Sequence, residues 1–361
     1  MPNKVINVFY HGRKVGRLAL TDEQLCAFEY DGQWLNGGFA ISPFKLPLEK
    51  KVFVARPFPF DGGFGIFDDS LPDGWGRLLI DRLLSKKHLN PAAVSLLDRL
   101  AVVGSSGRGA LEYRPAAQMT ASKAGTPLAV LAREAEAVLQ EKHTRRLEEL
   151  VQAGGSSGGA RPKVLLKIAG EHWLIKFRVG EDPRDIGRRE YHYAEVARKS
   201  GLAMPQTRLF EKKYFGVKRF DRGKNGSKIH MLSASALLDS SHRFPALDYV
   251  DLLKAALALT RDYNEVYKLF RLMCFNVFAH NRDDHAKNFS FLYAGGKWLV
   301  SPPYDLVYAE GLGGEHATAV AGEGKNPAEK HILLAAAAAG LDLRTAGQIM
   351  SEVKTAVKKY L

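Results

Sequence analysis

Two polar residues in the C-terminal part of the sequence have the types and the spacing that phosphoryl transfer needs. Asp283 is followed five positions later by Asn288, and Arg282 directly precedes the aspartate. A carboxylate can accept the proton of an attacking hydroxyl, and an amide oxygen can hold a metal ion on the phosphates. One short loop can supply both groups. The spacing alone arises often by chance, so it needs support from the rest of the chain.

A second aspartate, Asp305, follows this loop after a predicted strand, turn and strand. That is the place of the second metal-binding carboxylate in protein kinases. Mg²⁺ prefers carboxylate and amide oxygens together with phosphate oxygens, so one aspartate and one asparagine suffice. The sequence therefore predicts Asp283 as the catalytic base and Asn288 and Asp305 as Mg²⁺ ligands.

Two basic residues lie between Asp283 and Asn288. Lys287 could neutralise the charge of a transferring phosphoryl group. His285 could contact phosphate or pack on the loop. His280 and His285 lack a convincing third and fourth ligand in the sequence, which argues against a zinc site.

A glycine-rich stretch, 154–163, joins a predicted helix to a predicted strand. Glycines allow backbone N–H groups to approach phosphate oxygens closely, and Arg161 and Lys163 add positive charge. The stretch matches neither the Walker pattern nor G-x-G-x-x-G. Taken alone, it is equally compatible with a phosphate loop and with a flexible interdomain linker.

Lys176 lies in an otherwise apolar predicted strand. A lysine in such a strand is costly unless an anionic group meets it, although an edge-strand lysine that faces water is an alternative. Glu190 on the next predicted helix could pair with Lys176, as in protein kinases, or could be a solvated helix residue. Glycine loop, strand lysine, helix glutamate, Asp/Asn loop and final aspartate follow one another in the order of a kinase, and this order is much rarer than any single part.

The length, net charge, cysteine content and apolar segments of the chain limit the kinds of protein it could be. The 361 residues suffice for two domains, and the formal net charge of +13 favours polyanionic partners such as nucleotides, nucleic acid or a DNA-bound protein complex. Cys26 and Cys274 form neither a disulfide framework nor a zinc pattern, which favours a reducing compartment. The N-terminus lacks the apolar core of a signal peptide, and no apolar run is long enough to span a bilayer. We therefore expect a cytoplasmic protein.

Periodicity places these residues in an α+β chain with a β-rich beginning and a helical end. The predicted strands are 5–10, 14–20, 28–35, 163–168, 172–177, 207–210, 214–220, 289–293 and 297–300. The predicted helices are 78–84, 128–150, 188–199, 249–260, 264–279, 329–339 and 343–360. A β-rich part before a helical part, with phosphate chemistry at the junction, indicates a bilobal protein-kinase-like fold. We expect a β-rich N-terminal subdomain at 1–125, a glycine-loop and nucleotide-binding part at 126–222, and a helical catalytic lobe at 223–361.

Several of these segments together resemble the HipA family of bacterial serine/threonine kinases, the toxin halves of type II toxin–antitoxin pairs. The matching segments are 71–76, 156–163, 174–177, 217–222, 283–290 and 304–306. The sequence Asp283-Asp284-His285-Ala286-Lys287-Asn288 is the most specific of them. The resemblance covers nearly the whole chain and implies a HipA-like fold.

The resemblance also implies roles for individual residues. ATP would be bound by the phosphate loop Gly158, Gly159, Ala160, Arg161, Pro162 and Lys163, by Lys176, by the hinge Lys218, Arg219 and Phe220, and by His285, Lys287, Asn288, Tyr304 and Asp305. A serine just before the loop is autophosphorylated in this family, which silences the enzyme, and Ser156 and Ser157 occupy that place. The residue at the position of Lys218 is often acidic in relatives, so adenine would be contacted there by the backbone.

Substrate and partners follow from the resemblance alone. It implies ATP and Mg²⁺ as cofactors and a translation-related protein substrate, as in members that phosphorylate an aminoacyl-tRNA synthetase. It also implies a small helix-turn-helix antitoxin, with DNA reached indirectly through that partner. One alternative is a catalytically silent subunit of a DNA-bound repressor complex, although the retention of every expected catalytic residue argues against it. A kinase for small molecules is a second alternative, because the catalytic residues do not distinguish protein from small-molecule hydroxyls.

Overall fold

The computed structural model describes residues 3–117, 125–154, 158–241 and 246–361. The chain divides into two compact units, Met1–Gly187 with Arg208–His230 and Arg188–Thr207 with Met231–Leu361. The first unit holds the glycine-rich loop and Lys176. The second unit holds Asp283, Asn288 and Asp305.

The strands, in chain order, are β1 (Val5–Tyr10), β2 (Arg13–Leu20), β3 (Cys26–Tyr30), β4 (Val52–Val54), β5 (Leu111–Arg114), β6 (Lys163–Ile168), β7 (Glu171–Lys176), β8 (Thr207–Phe210), β9 (Tyr214–Lys218), β10 (His230–Ser233), β11 (Leu247–Asp248), β12 (Ser290–Ala294), β13 (Lys297–Val300) and β14 (Thr318–Ala319). The α-helices are α1 (Gly32–Leu35), α2 (Gly65–Asp68), α3 (Gly74–Lys86), α4 (Leu96–Val103), α5 (Leu128–Leu139), α6 (Leu147–Gly154), α7 (Ile186–Lys199), α8 (Ala234–Leu238), α9 (Tyr249–Thr260), α10 (Tyr263–Phe278), α11 (Glu329–Ala338) and α12 (Leu343–Tyr360). Short 3-10 helices lie at Pro91–Ala93, Ala286–Asn288 and Leu312–Gly314.

An antiparallel sheet in the order β4-β3-β2-β1-β5 begins the first unit. His11 and Gly12 join β1 to β2, and both have positive φ, as a two-residue hairpin turn requires. The predicted strand 28–35 is wrong in its second half, because β3 ends at Tyr30. The side chain of Asp31 accepts a hydrogen bond from Gln33 N at 3.0 Å and starts α1 instead.

A second sheet of the same unit has the order β6-β7-β9-β8. One face of it packs on helices α3, α5 and α6, with Val164, Trp173, Ile175, Trp75 and Leu150 in the shared core. The single helix predicted at 128–150 is wrong, since α5 and α6 are separate. The backbone turns at Glu141 with φ 57, and the Glu134 carboxylate then accepts hydrogen bonds from the N–H groups of Arg145 and Arg146.

The second unit is mostly helical, and α10 lies at its centre with a buried face that includes Leu269, Phe270, Met273 and Phe275. Helices α9 and α12 have the predicted bounds, and α10 begins and ends one residue earlier than predicted. Aspartates cap the N-termini of all three through their side chains, as the N-cap preference explains. Among the helices of the described residues, none is both long and apolar enough to cross a membrane.

Candidate functional site

The loop with Asp283 begins where α10 ends. His280 has φ 52, so the chain turns sharply in the left-handed region after the helix. Asn281 then bonds back to Asn276 twice, from its backbone N to the carbonyl oxygen and from Nδ2 to Oδ1, both at 2.9 Å. These bonds fix the start of the loop on the helix.

Three of the residues predicted to do chemistry, Asp283, His285 and Asn288, lie together on this loop. The Asp283 side chain is 65% exposed, and its Oδ1 lies 3.9 Å from His285 Nε2. Asn288 Nδ2 donates a hydrogen bond of 2.7 Å to the backbone oxygen of Asp283. Because this bond uses the amide nitrogen, it leaves the amide oxygen, Oδ1, as the side-chain atom that can serve as a metal ligand. An exposed carboxylate and an oriented amide oxygen therefore share one loop.

The neighbouring aspartate, Asp284, has the opposite environment and was not singled out from the sequence. It is 0% exposed. Its Oδ2 accepts hydrogen bonds from Tyr249 OH at 2.8 Å and lies 2.9 Å from His316 Nδ1. The N–H of Thr318 donates to its Oδ1 at 3.3 Å. Burial, and then the Asp284 charge, raise the pKa of Tyr249 well above its usual value, so the phenol stays a proton donor. Asp284 thus anchors the loop while Asp283 faces outward.

Tyr304 connects the segment before Asp305 to the same loop. Its hydroxyl donates to the backbone oxygen of Lys287 at 2.6 Å and lies 2.6 Å from Ser290 Oγ. Asp305 itself has φ 59. A left-handed backbone at a residue other than glycine is uncommon and is often found at functional sites. Lys287 is 5% exposed, so its aliphatic stem is buried beside these contacts.

In the first unit, β6 and β7 place two lysines directly opposite each other. Lys163 pairs with Lys176 in the register, and directly paired residues share a face of the sheet. Val164, Trp173 and Ile175 point into the core, so both lysines lie on the other face. The half-buried aliphatic residues of that face are Leu165, Leu174 and Val217. This face therefore combines a concentrated positive charge with an apolar surface.

The loop before β6 is held by contacts of its own residues. Gly159 has φ 85, and Lys163 Nζ donates to the Gly158 oxygen at 2.5 Å. Arg161 forms an ion pair of 2.9 Å with Asp182. The oxygen of Pro162 accepts the N–H of Phe177 at 2.8 Å, which continues the β6–β7 pairing. Ser156 and Ser157 lie outside the described residues.

The segment after β9, predicted as a hinge, is anchored by Asp221. Lys218 pairs with Trp173 in the register and its ammonium bonds Glu171, so its side chain lies on the core-facing side of the sheet. Arg219 and Arg222 both bind the Asp221 carboxylate, which is 4% exposed. Burial alone would raise the pKa of Asp221, but the charges of the two arginines outweigh it and lower the pKa to about 2.

The two residues of the predicted Lys176–Glu190 ion pair belong to different units, whereas both predicted metal ligands lie in the second unit. Lys176 belongs to the first unit, whereas Glu190 lies on α7 in the second and is 3% exposed. Their pairing stays a prediction. Among the described residues, no group of three or more His, Cys, Asp or Glu could hold a metal. Asn288 and Asp305 fit Mg²⁺ by the chemistry of their oxygens, and phosphate oxygens would complete the ligand set.

Comparisons with known proteins agree with this architecture. Among curated proteins, "Putative kinase Y4mE" of Sinorhizobium fredii (strain NBRC 101917 / NGR234) is 29% identical, with 85% of this chain and 78% of that protein covered. Among solved structures, a chain of the Shewanella oneidensis MR-1 toxin–antitoxin complex of HipA, HipB and operator DNA superposes with a TM-score of 0.71. The match covers 98% of this chain and 90% of that chain at 17% identity, and it confirms the expected HipA-like α+β fold.

Two family profiles account for most of the sequence. The profile of the HipA N-terminal domain matches residues 6–114, and that of the HipA-like C-terminal domain matches residues 155–360. The resemblance inferred from the motifs is thereby confirmed, and this chain belongs to the HipA family.

Proposed function

We propose that this chain is a HipA-type kinase that transfers the γ-phosphoryl group of ATP, with Mg²⁺, to serine or threonine hydroxyls of a protein. The observation that carries the proposal is the loop in which Asp283 is exposed and Asn288 is oriented by a bond to the Asp283 backbone. Family membership and a relative named as a kinase support the phosphotransferase class.

In this proposal the polar residues on the loop, together with Asp305, have different roles. The Asp283 carboxylate accepts the proton of the attacking hydroxyl. The side-chain oxygens of Asn288 and Asp305 hold Mg²⁺, which when bound neutralises charge on the phosphates. Lys287 and His285 add positive or hydrogen-bonding groups beside Asp283. Asp284 takes no part in the chemistry and anchors the loop through its hydrogen bonds with Tyr249 and Thr318.

The first unit supplies the nucleotide-binding residues of the proposal. Lys163 and Lys176 would contact phosphates, and the backbone N–H groups of Gly158, Ala160 and Arg161 would supply further donors. Leu165, Leu174 and Val217 offer an apolar surface to adenine, and the backbone of 218–220 offers it hydrogen-bonding groups. We accordingly propose a functional division at 1–125, 126–222 and 223–361, with nucleotide-contacting residues in the middle part and the catalytic base in the last.

The biological setting belongs to the same proposal. The Shewanella structure holds HipA with HipB and operator DNA. We propose a HipB-type helix-turn-helix antitoxin as partner here, with DNA reached through it, which suits the net charge of +13. The protein would then act as a growth-inhibiting toxin on a translation-related substrate such as an aminoacyl-tRNA synthetase. Phosphorylation of Ser156 or Ser157 would switch it off.

The Asp283→Ala variant tests the proposal. We expect wild type to transfer label from γ-labelled ATP to protein in a Mg²⁺-dependent reaction, and Asp283→Ala to lose at least about a thousandfold of the rate because the proton acceptor is gone. ATP should still raise the melting temperature of the variant. Asp251→Ala is the matched control, because Asp251 is an exposed aspartate on α9 of the same unit.

Full activity of Asp283→Ala would contradict the assignment. A wild-type protein that binds ATP but transfers no label to itself or to lysate proteins would favour the silent repressor subunit. Label that appears only in small molecules would favour a small-molecule kinase.

A further inference from the structure

Asp73 occupies the N-cap position of α3 but does not cap that helix. An aspartate there usually accepts an N–H of the first turn of its own helix. Here the side chain makes no cap bond, and its carboxylate accepts the N–H of Gly159 in the glycine loop. The Asp73 carboxylate therefore bonds a residue 86 positions later in the chain instead of capping its own helix. That exchange indicates a role for Asp73 outside α3.

Two neighbours of Asp73 bind the same loop. Trp75 N donates to the Gly159 oxygen at 3.1 Å, and Trp75 Nε1 donates to the Lys163 oxygen at 3.1 Å. The indole is 1% exposed, so the bond from Nε1 to Lys163 is shielded from water. We call Asp73, Gly74 and Trp75 the loop clasp. Together its bonds hold Gly159 through both its backbone N–H and its backbone C=O.

Gly74 brings the two backbones into direct contact. A Cβ atom built on Gly74 would lie 2.6 Å from Ala160 Cα and 2.7 Å from the Gly159 oxygen. Its φ of 31 also disfavours any residue with a side chain. Only glycine allows the start of α3 to approach the loop this closely.

A third contact reaches the loop from the same N-terminal region. The Arg108 guanidinium lies against Gly158, where an added Cβ would be 2.9 Å from Nη1. Arg108 Nε is itself held by the Asp69 oxygen at 3.1 Å. Arg108 and the loop clasp therefore contact the consecutive loop residues 158–160. All of these residues belong to the first unit.

We propose that Asp73 is a positioning residue that holds the glycine loop in the conformation that binds ATP phosphates, so that the N-terminal domain sets the affinity for nucleotide. This inference rests on the proposed function. Asp73 makes a charge-assisted bond to a backbone amide, which is stronger than a neutral one. The clasp lies in the region matched by the HipA N-terminal profile, and the loop lies in the region matched by the C-terminal profile. The clasp thereby gives the N-terminal domain a part in nucleotide binding.

Hydrogen exchange and steady-state kinetics of three variants test the inference. In Asp73→Ala, the amides of 158–161 should exchange faster without nucleotide, and the KM for ATP should rise about tenfold while kcat stays within about twofold. Asp73→Asn should lie between wild type and Asp73→Ala, because the Asn oxygen can accept the same N–H without its charge. Asp81→Ala is the control, since Asp81 lies on the same helix and pairs with Arg99 rather than with the loop.

The two measurements separate this inference from the proposed function. Unchanged loop exchange in Asp73→Ala would overturn the clasp even if the protein is a kinase. Faster loop exchange with an unchanged KM for ATP would show a structural contact only and would also overturn it. A fall in kcat with no change in KM would assign Asp73 to the chemistry instead. Should Asp73→Ala fail to fold, the graded effect of Asp73→Asn decides the matter by the same criteria.

Discussion

Replacing Asp221 by asparagine would remove the charge that holds the predicted hinge. Asp221 binds Arg219 through two bonds of 2.9 and 2.7 Å, Arg222 Nη1 at 2.9 Å and the N–H of Gly109 at 2.9 Å. Arg222 also donates to the oxygens of Gly107 and Gly109, both at 3.0 Å. The carboxylate therefore joins the segment after β9 to the loop before β5, and its removal leaves two largely buried guanidinium groups without their shared counter-charge.

The magnitude follows from the pKa of Asp221. Its pKa falls from 3.8 to about 2 on folding, and at about 1.4 kcal/mol per pH unit this is worth about 2 kcal/mol at neutral pH. Because breaking a buried pair costs about 3–5 kcal/mol, we expect Asp221→Asn to lower the free energy of unfolding by about 3 kcal/mol at pH 7. Since the folded pKa is depressed, the contribution is complete above the unfolded value near 3.8 and is lost as the pH falls through 2. The difference between wild type and variant should therefore shrink by about 1 kcal/mol at pH 3.

Urea unfolding followed by tryptophan fluorescence measures both quantities, because Trp75 and Trp173 lie in the core of the same unit. Asp22→Asn is the matched control, since Asp22 is exposed in the turn between β2 and β3. A loss below about 1 kcal/mol at pH 7, or a difference that does not change between pH 7 and pH 3, would refute the reasoning.

Two other substitutions probe the buried anchor of the catalytic loop and the two faces of the β6–β9 sheet. Asp284→Ala removes the shared acceptor of Tyr249 and Thr318. It should therefore lower the free energy of unfolding, measured by chemical denaturation, by about 3 kcal/mol, and it should slow phosphoryl transfer. A variant as stable as wild type would contradict the anchoring role of Asp284. Ile175→Ala, in the core, should cost about 2–4 kcal/mol of stability, whereas Leu174→Ala on the opposite face should cost less and weaken ATP binding, as calorimetry would show. Equal effects of these two substitutions would argue against a nucleotide-binding face.

Helix bounds set by neighbouring residues, such as N-caps, were predicted correctly from the sequence. Bounds set by hydrogen bonds to residues farther along the chain were not. The bounds of α9 and α12 were predicted correctly because Asp248 and Asp342 are strong N-caps at the start of apolar periodic segments. The strand predicted at 28–35 failed because its apolar alternation continues past Tyr30, while Asp31 and Gly32 begin a helix. The helix predicted at 128–150 failed because Glu134 binds backbone groups 11 and 12 residues away.

The candidate site shows the same division. The spacing of Asp283 and Asn288 is visible in the sequence, and the structure places both on one loop, where the Asp283 carboxylate is exposed. Asp284 was overlooked because its partners, Tyr249 and His316, are 35 and 32 positions away. The adjacent pair Asp283 and Asp284 was the signal in the sequence that could have indicated a second, structural role for one of the two carboxylates. Asp73 bonds across 86 positions, and only the three-dimensional contact reveals that.

The most direct test of the central claim is to find where the γ-phosphoryl group of ATP goes. Purified wild-type protein and Asp283→Ala would each be incubated with labelled ATP, Mg²⁺ and cell lysate, and the labelled protein hydrolysed to phosphoamino acids. We predict phosphoserine or phosphothreonine with wild type and neither with Asp283→Ala. The same yield from both proteins, or no protein-bound label from a wild type that binds ATP, would contradict the account.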